Sequence, residues 1–95
     1  MKVYIAGKIT GNPDYKKQFK AAEDKLKAYG HTVLNPVKDE GFSYKDCIDM
    51  GLCELMKCDA IYLLKGWQKS EGAYLEYTYA TTTGMRIFLE QEVWK

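Results

Sequence analysis

Two rhythms of apolar residues run along this chain. Short runs rich in β-branched and aromatic residues at Lys2–Ala6, 31–34, 60–64 and Arg86–Leu89 predict four strands. Between them, apolar residues recur every three or four positions. Tyr15, Phe19, Ala22, Leu26 and Tyr29 predict a first helix with lysines on its other face. Tyr44, Ile48, Leu52 and Leu55 predict a second, and residues 71–83 a third. The third is apolar almost all round, through Tyr74, Leu75 and Tyr77, as a helix covered on more than one side would be. The 60–64 run is continuously apolar, as in a strand buried on both faces.

Local signals mark the boundaries. Asn12 reads as the cap of the first helix, with Pro13 in its first turn and Asp14 beside it, and Gly30 as its stop. Ser43 and Asp46 form a capping box with Asp in place of the usual Glu or Gln. Ser70 caps the third helix and Gly84 ends it. Residues 37–42 and 65–69 read as loops, and the tail at 90–95 matches no element. Four strands alternating with three helices predict an α/β fold, with a parallel four-stranded sheet in the order 2-1-3-4 and right-handed crossovers. Ligands of such sheets bind where the strand order reverses, beyond the carboxyl ends of the strands. That point lies between strands one and three, at segments 7–11 and 65–70.

Composition narrows the field. The chain has 95 residues, enough for one small domain that gains from burial against a second subunit. It is 46% hydrophobic and 28% charged with net charge +1, so nothing draws it to polymeric nucleic acid or a membrane. No run approaches the ~18–20 apolar residues of a membrane span, and the apolar start is too short for a signal peptide. Cys47, Cys53 and Cys58 lack C-x-x-C spacing and His31 is the sole histidine, which excludes a zinc site and predicts buried, reduced thiols in a cytoplasmic protein. No cofactor or metal is expected.

The chemistry concentrates at Glu76. On a helix it shares a face with Gly72, Ala73, Tyr79, Ala80 and Thr83. A carboxylate among small and aromatic side chains costs free energy unless it is paired or used. It lies about 9 Å along its helix from Ser70, tilted back towards the crevice. An ion pair or a rotated, solvated helix would instead leave it inert. Gly7, Lys8, Ile9, Thr10 and Gly11 form a turn between strand and helix that suits backbone approach to a phosphate, or is a plain tight turn. Trp67 either stacks on a base or ribose or packs as a lid on the core. Ser70 and Gly72 open a helix whose unpaired N–H groups hold anions. Asp59, remote from the crevice, reads as structural, and Asp14, Glu23 and Asp24 with neighbouring lysines as a solvated face.

Three stretches together resemble a known family. They are Met1 to Gly11, Cys58-Asp59-Ala60-Ile61-Tyr62-Leu63-Leu64, and Gly66-Trp67 with Ser70-x-Gly72-Ala73-x-x-Glu76-x-x-x-Ala80. They are similar to small phage and bacterial proteins of unknown function in the nucleoside 2-deoxyribosyltransferase-like superfamily, and to its deoxynucleoside monophosphate N-glycosidases. The likeness runs over about residues 1–89 and treats residues 1–95 as one such domain. It implies a flavodoxin-like, Rossmann-like three-layer fold and a homodimer or higher homo-oligomer with sites near subunit boundaries. It also implies Glu76 as nucleophile on the anomeric carbon, Gly7, Ile9 and Gly11 lining the nucleotide pocket, and Ser70 and Gly72 at a 5′-phosphate.

One position departs from the pattern. The family commonly places an aspartate eight residues before the residue matching Asp59, and here that position is Gly51. Asp49 lies roughly 200° away around a helix and does not substitute for it. Two functions follow from the resemblance: cleavage or transfer of the N-glycosidic bond of a (deoxy)nucleoside or its 5′-monophosphate, or a catalytically silent nucleotide-binding or regulatory module. A flavin domain of similar topology is disfavoured, because the 7–11 turn lacks a run of hydroxyl residues.

Overall fold

The computed structural model describes residues 1–37 and 41–93; the middle of the loop predicted at 37–42, and Trp94 and Lys95 of the tail, lie outside them. The elements run β1 (Lys2–Ala6), α1 (Tyr15–Ala28), β2 (Thr32–Leu34), α2 (Tyr44–Met56), β3 (Ala60–Leu63), a 3-10 turn (Trp67–Lys69), α3 (Glu71–Thr82), β4 (Arg86–Leu89) and α4 (Glu90–Val93). The sheet order is β2-β1-β3-β4 and every pairing is parallel. In register, Tyr4 stands between Leu34 and Ile61.

Strand alternation sorts the core into two layers. Val3, Ile5, Ala60, Tyr62 and Leu64 face Phe19, Ala22 and Leu26 of α1. Tyr4, Ala6, Ile61 and Leu63 face Leu55 of α2 and Ala73 and Ala80 of α3. Sequence reading and structure therefore agree on an α/β sheet with helices on both faces.

The capping box of α2 forms as expected. Asp46 N–H donates to Ser43 Oγ at 3.1 Å, and Ser43 N–H to Asp46 Oδ2 at 3.3 Å. Asn12 does not cap α1, which starts after Asp14. Its side chain is occupied elsewhere. Oδ1 accepts from Asp14 N–H, while Nδ2 donates to Lys8 O and Gln18 Oε1, both at 2.9 Å. Gln18 Nε2 in turn reaches Lys65 O at 3.3 Å, so this chain of bonds ties the turn after β1 to the loop after β3.

The 65–69 loop contains the 3-10 turn, entered through Gly66 at φ +89°, a value glycine adopts without strain. The unplaced tail begins as α4. There the Glu90 carboxylate accepts Lys65 N–H at 3.0 Å. Asp59 is structural as read, accepting Lys2 N–H at 3.0 Å. The charged face of α1 carries the pairs Lys20–Asp24 and Lys27–Glu23.

The cysteine expectation needs correction. Cys47 and Cys53 are exposed on α2, and Cys58, between α2 and β3, is half-buried against the core. Among the described residues no helix is long and apolar enough to cross a membrane.

Candidate active site

Beyond the carboxyl ends of β1 and β2 opens a cavity of about 340 Å³. Gly7, Ile9 and Thr10 form one wall, and Ser70, Gly72 and Ala73 at the start of α3 another. Tyr15 and Lys16 enter from α1, Tyr44, Cys47 and Ile48 from α2, and Pro36, Val37 and Phe42 from the loop between β2 and α2. Tyr4 and Glu76 lie at its inner end.

Glu76 is the buried charged residue of the core, 7% exposed. Neither inert arrangement applies: no ion pair with a described residue holds it, and its helix is not rotated to water. Instead the Tyr4 hydroxyl donates to Oε2 at 2.5 Å. Tyr4 is 1% exposed, and a tyrosine buried in a central strand needs a partner for its hydroxyl. Among the described residues no buried side-chain oxygen lacks a hydrogen-bond partner and none of them bonds Oε1, so Oε1 is the oxygen that opens to the cavity.

Burial is the main cause that pushes the Glu76 carboxyl up to about 7. The Tyr4 hydrogen bond opposes that rise, and the charge of Glu54 adds to it. Burial, and then the charge of Glu76 and the hydrogen bond to it, raise the phenol of Tyr4. Tyr4 therefore stays a donor, and Glu76 passes between acid and carboxylate near neutrality.

The predicted site residues divide. Gly7, Ile9, Thr10, Ser70, Gly72 and Glu76 meet at the cavity. Gly7 has a packing reason of its own, because a Cβ there would stand 2.8 Å from Leu64 Cδ1. Gly72 lets α2 close on α3, where a Cβ would stand 2.7 Å from Ile48 Cδ1. Ser70 Oγ caps α3 by accepting Ala73 N–H at 3.1 Å.

Lys8, Gly11 and Trp67 do not line the cavity. Lys8 lends its carbonyl to Asn12, and Gly11 serves the turn at φ +77°. Trp67, placed among the nucleotide-binding residues, is instead 8% exposed in the core under α3, its ring 4.6 Å from Tyr77 and 5.7 Å from Tyr74. Its apolar area is better buried there than at an open wall, so the lid-on-the-core reading holds for it.

Sequence reasoning missed Tyr4 and the aromatic wall of Tyr15, Phe42 and Tyr44. For Tyr4 the available signal was a phenol in the middle of a doubly covered strand, which requires a polar partner. Gly51 sits buried on α2, where a Cβ would stand 2.5 Å from Glu76 Oε2 and 2.7 Å from the Tyr4 hydroxyl. Asp49 pairs with Lys45 at 2.6 Å on the outer face and, as expected, does not replace an acid at 51.

Three solved structures share this fold. The CMP N-glycosidase BcmB of Clostridium botulinum matches with TM-score 0.69 and 21% identity, over 94% of this chain and 70% of its own. The 2-deoxyribosyltransferase of Bacillus psychrosaccharolyticus matches with TM-score 0.73 and 22% identity, over 94% and 71%. That of Leishmania mexicana matches with TM-score 0.73 and 19% identity, over 93% and 62%. At these identities the likeness establishes the fold, that of nucleoside 2-deoxyribosyltransferases and the CMP N-glycosidase. The chain itself belongs to a family described as a domain of unknown function (DUF4406), whose pattern spans residues 1–89. No curated protein matches it.

Proposed function

We propose that this chain, as one nucleoside 2-deoxyribosyltransferase-like domain, binds a nucleoside or nucleoside 5′-monophosphate and cleaves or transfers its N-glycosidic bond with Glu76 as nucleophile. The observation that carries this is a buried carboxylate at the inner end of a cavity beyond the carboxyl ends of a parallel sheet, one oxygen bonded to Tyr4 and the other open. Oε1 forms a bond to C1′ of the sugar as the C1′–N bond breaks. The electron pair leaves with the base, which takes up a proton from solvent. Water then adds to C1′, releasing the carboxylate and a proton; a second base in place of water gives transfer. The charge that develops on the sugar is oxocarbenium-like, which a carboxylate stabilises best where water is excluded.

Tyr15, Phe42 and Tyr44 offer faces on which a base packs. At the start of α3 the Gly72 N–H and the Ser70 hydroxyl suit a 5′-phosphate, the Ser70 N–H itself being given to Trp67 O at 3.0 Å. Tyr74 and Leu75, 52% and 46% exposed, leave the outer face of α3 for a second subunit. A second reading, a catalytically silent nucleotide-binding module, draws on one observation: Glu76 is the one carboxylate among the described residues lining the cavity, where glycosidases commonly use two.

Release of free base from a panel of deoxynucleosides and their monophosphates separates the two readings. Turnover lost in Glu76→Ala supports cleavage. Saturable binding with no turnover supports the silent module.

A further inference from the structure

Glu76 is a buried carboxylate whose charge no described residue balances. Its Oε2 accepts from the neutral phenol of Tyr4, and no ion pair among the described residues includes it. A buried anion without a cation is costly, so the site gains from a ligand that brings one. Lys16 is the cationic side chain among the described residues lining the cavity. Its Nζ stands 6.0 Å over the Tyr15 ring and makes no ion pair with Glu76.

The aromatic part of the wall suits a flat cation. Tyr15 packs against the first core layer, while Phe42 and Tyr44 are 52% and 57% exposed. Aromatic rings attract cations through their quadrupoles. A ring that carries delocalised positive charge meets those side chains on its flanks and the Glu76 carboxylate near its glycosidic bond.

The chemistry of the leaving group points the same way. A neutral purine or pyrimidine departs readily only as it gains a proton, and a positioned acid contributes about 10²–10⁴-fold to such a step. Among the described residues lining the cavity Glu76 is the one carboxyl group, and it is engaged as the nucleophile. The other proton donors there are phenols, a thiol and an ammonium, residue types that are weaker acids than a carboxyl group. A glycoside whose base is already cationic needs no proton to leave.

We propose that the cavity prefers a cationic N-glycoside, of the N-ribosylpyridinium 5′-phosphate class, over neutral nucleotides. The preference in binding stands on the unbalanced carboxylate and the aromatic wall; cleavage rests on Glu76 being the nucleophile, as proposed above. As Oε1 bonds to C1′, the C1′–N electron pair moves onto the ring nitrogen and cancels its charge, and the pyridine departs neutral. Water then adds to C1′, the bond to Oε1 breaks, and one proton goes to solvent. Neutral nucleotides follow the same path more slowly, their base taking its proton from water. A single carboxylate thus fits an active site as well as a silent one.

The test compares nicotinamide mononucleotide with its 1,4-dihydro form at pH 8, where Glu76 is ionised. The two share sugar, phosphate and carboxamide and differ in the ring charge. Calorimetry should show the cation bound at least about tenfold more tightly, and the ratio should fall to within about threefold in Glu76→Gln. Equal affinities, or a preference unchanged in Glu76→Gln, overturn the proposal. Base release is measured beside it, with uridine 5′-monophosphate as the neutral substrate. Nicotinamide mononucleotide should show a kcat/KM at least about a hundredfold higher, and an equal or lower value overturns the preference in cleavage. Tighter binding of the cation with no base released from either nucleotide upholds the binding preference and removes the glycosidase reading. Release from uridine 5′-monophosphate beside equal binding of the two nicotinamide forms does the reverse.

Discussion

Glu76→Gln is expected to make the protein more stable at alkaline pH while removing its proposed chemistry. The Glu76 carboxyl rises from its ordinary 4.5 to about 7 in the folded chain. The folded state therefore holds a proton that the unfolded state has released between those values. Stability from this group is complete below pH 4.5, falls as pH rises towards 7, and is level above that. A rise of about 2.5 units corresponds to roughly 3 kcal/mol, as an upper estimate for one buried carboxylate.

Glutamine mimics the protonated acid and still accepts from Tyr4 through its amide oxygen, so it does not incur that loss. Urea unfolding of both proteins at pH 4.5, 6 and 8 should give curves that coincide at the acid end and diverge by about 2–3 kcal/mol at pH 8, with the glutamine variant the more stable. Glu23, held below its ordinary value by Lys27, acts in the opposite direction, but equally in both proteins, and cancels in the difference. Parallel curves across the range would refute the argument that Glu76 is buried and charged at the cost of stability.

Tyr4→Phe should weaken the fold by about 1.5–3 kcal/mol at pH 8, where it strips the donor from a carboxylate, and by less at pH 4.5; urea titration at the two values checks this. Base release, where it occurs, should rise with pH through about 7 as Glu76 ionises, and Tyr4→Phe should move that limb to higher pH. Trp67→Phe is expected to cost on the order of 1–2 kcal/mol in unfolding while nucleotide affinity by calorimetry stays unchanged, as befits a ring in the core. Ser43→Ala should cost about 1 kcal/mol by removing the cap of α2.

The sheet was legible because its evidence is local. Two central strands buried on both faces must be nearly all apolar, and Val3 to Ala6 and Ala60 to Leu64 are. The box at Ser43 and Asp46 was legible for the same reason, both partners lying within one turn. Asn12 misled because an asparagine before a helix has several nearby acceptors and donors, and its choice depends on Lys8 and Gln18 being brought to it. The Tyr4–Glu76 bond spans 72 residues and two crossovers, so only the folded chain brings the pair together. Gly51 reads in the sequence as a missing aspartate. Its positive content, the room it leaves, exists only once α2 is laid over Tyr4. Trp67 offered two environments with the same residue type, and the sequence does not tell an aromatic over a ligand from one over the core.

Free-base release by the native chain and by Glu76→Ala, measured side by side on deoxynucleosides and their 5′-monophosphates at pH 8, tests the central claim most directly. The account predicts release by the native chain and a loss of at least about a hundredfold in the alanine variant, as removal of a nucleophile brings. Equal rates from the two proteins would contradict Glu76 as nucleophile, and no release from any member of the panel would contradict the glycosidase reading altogether.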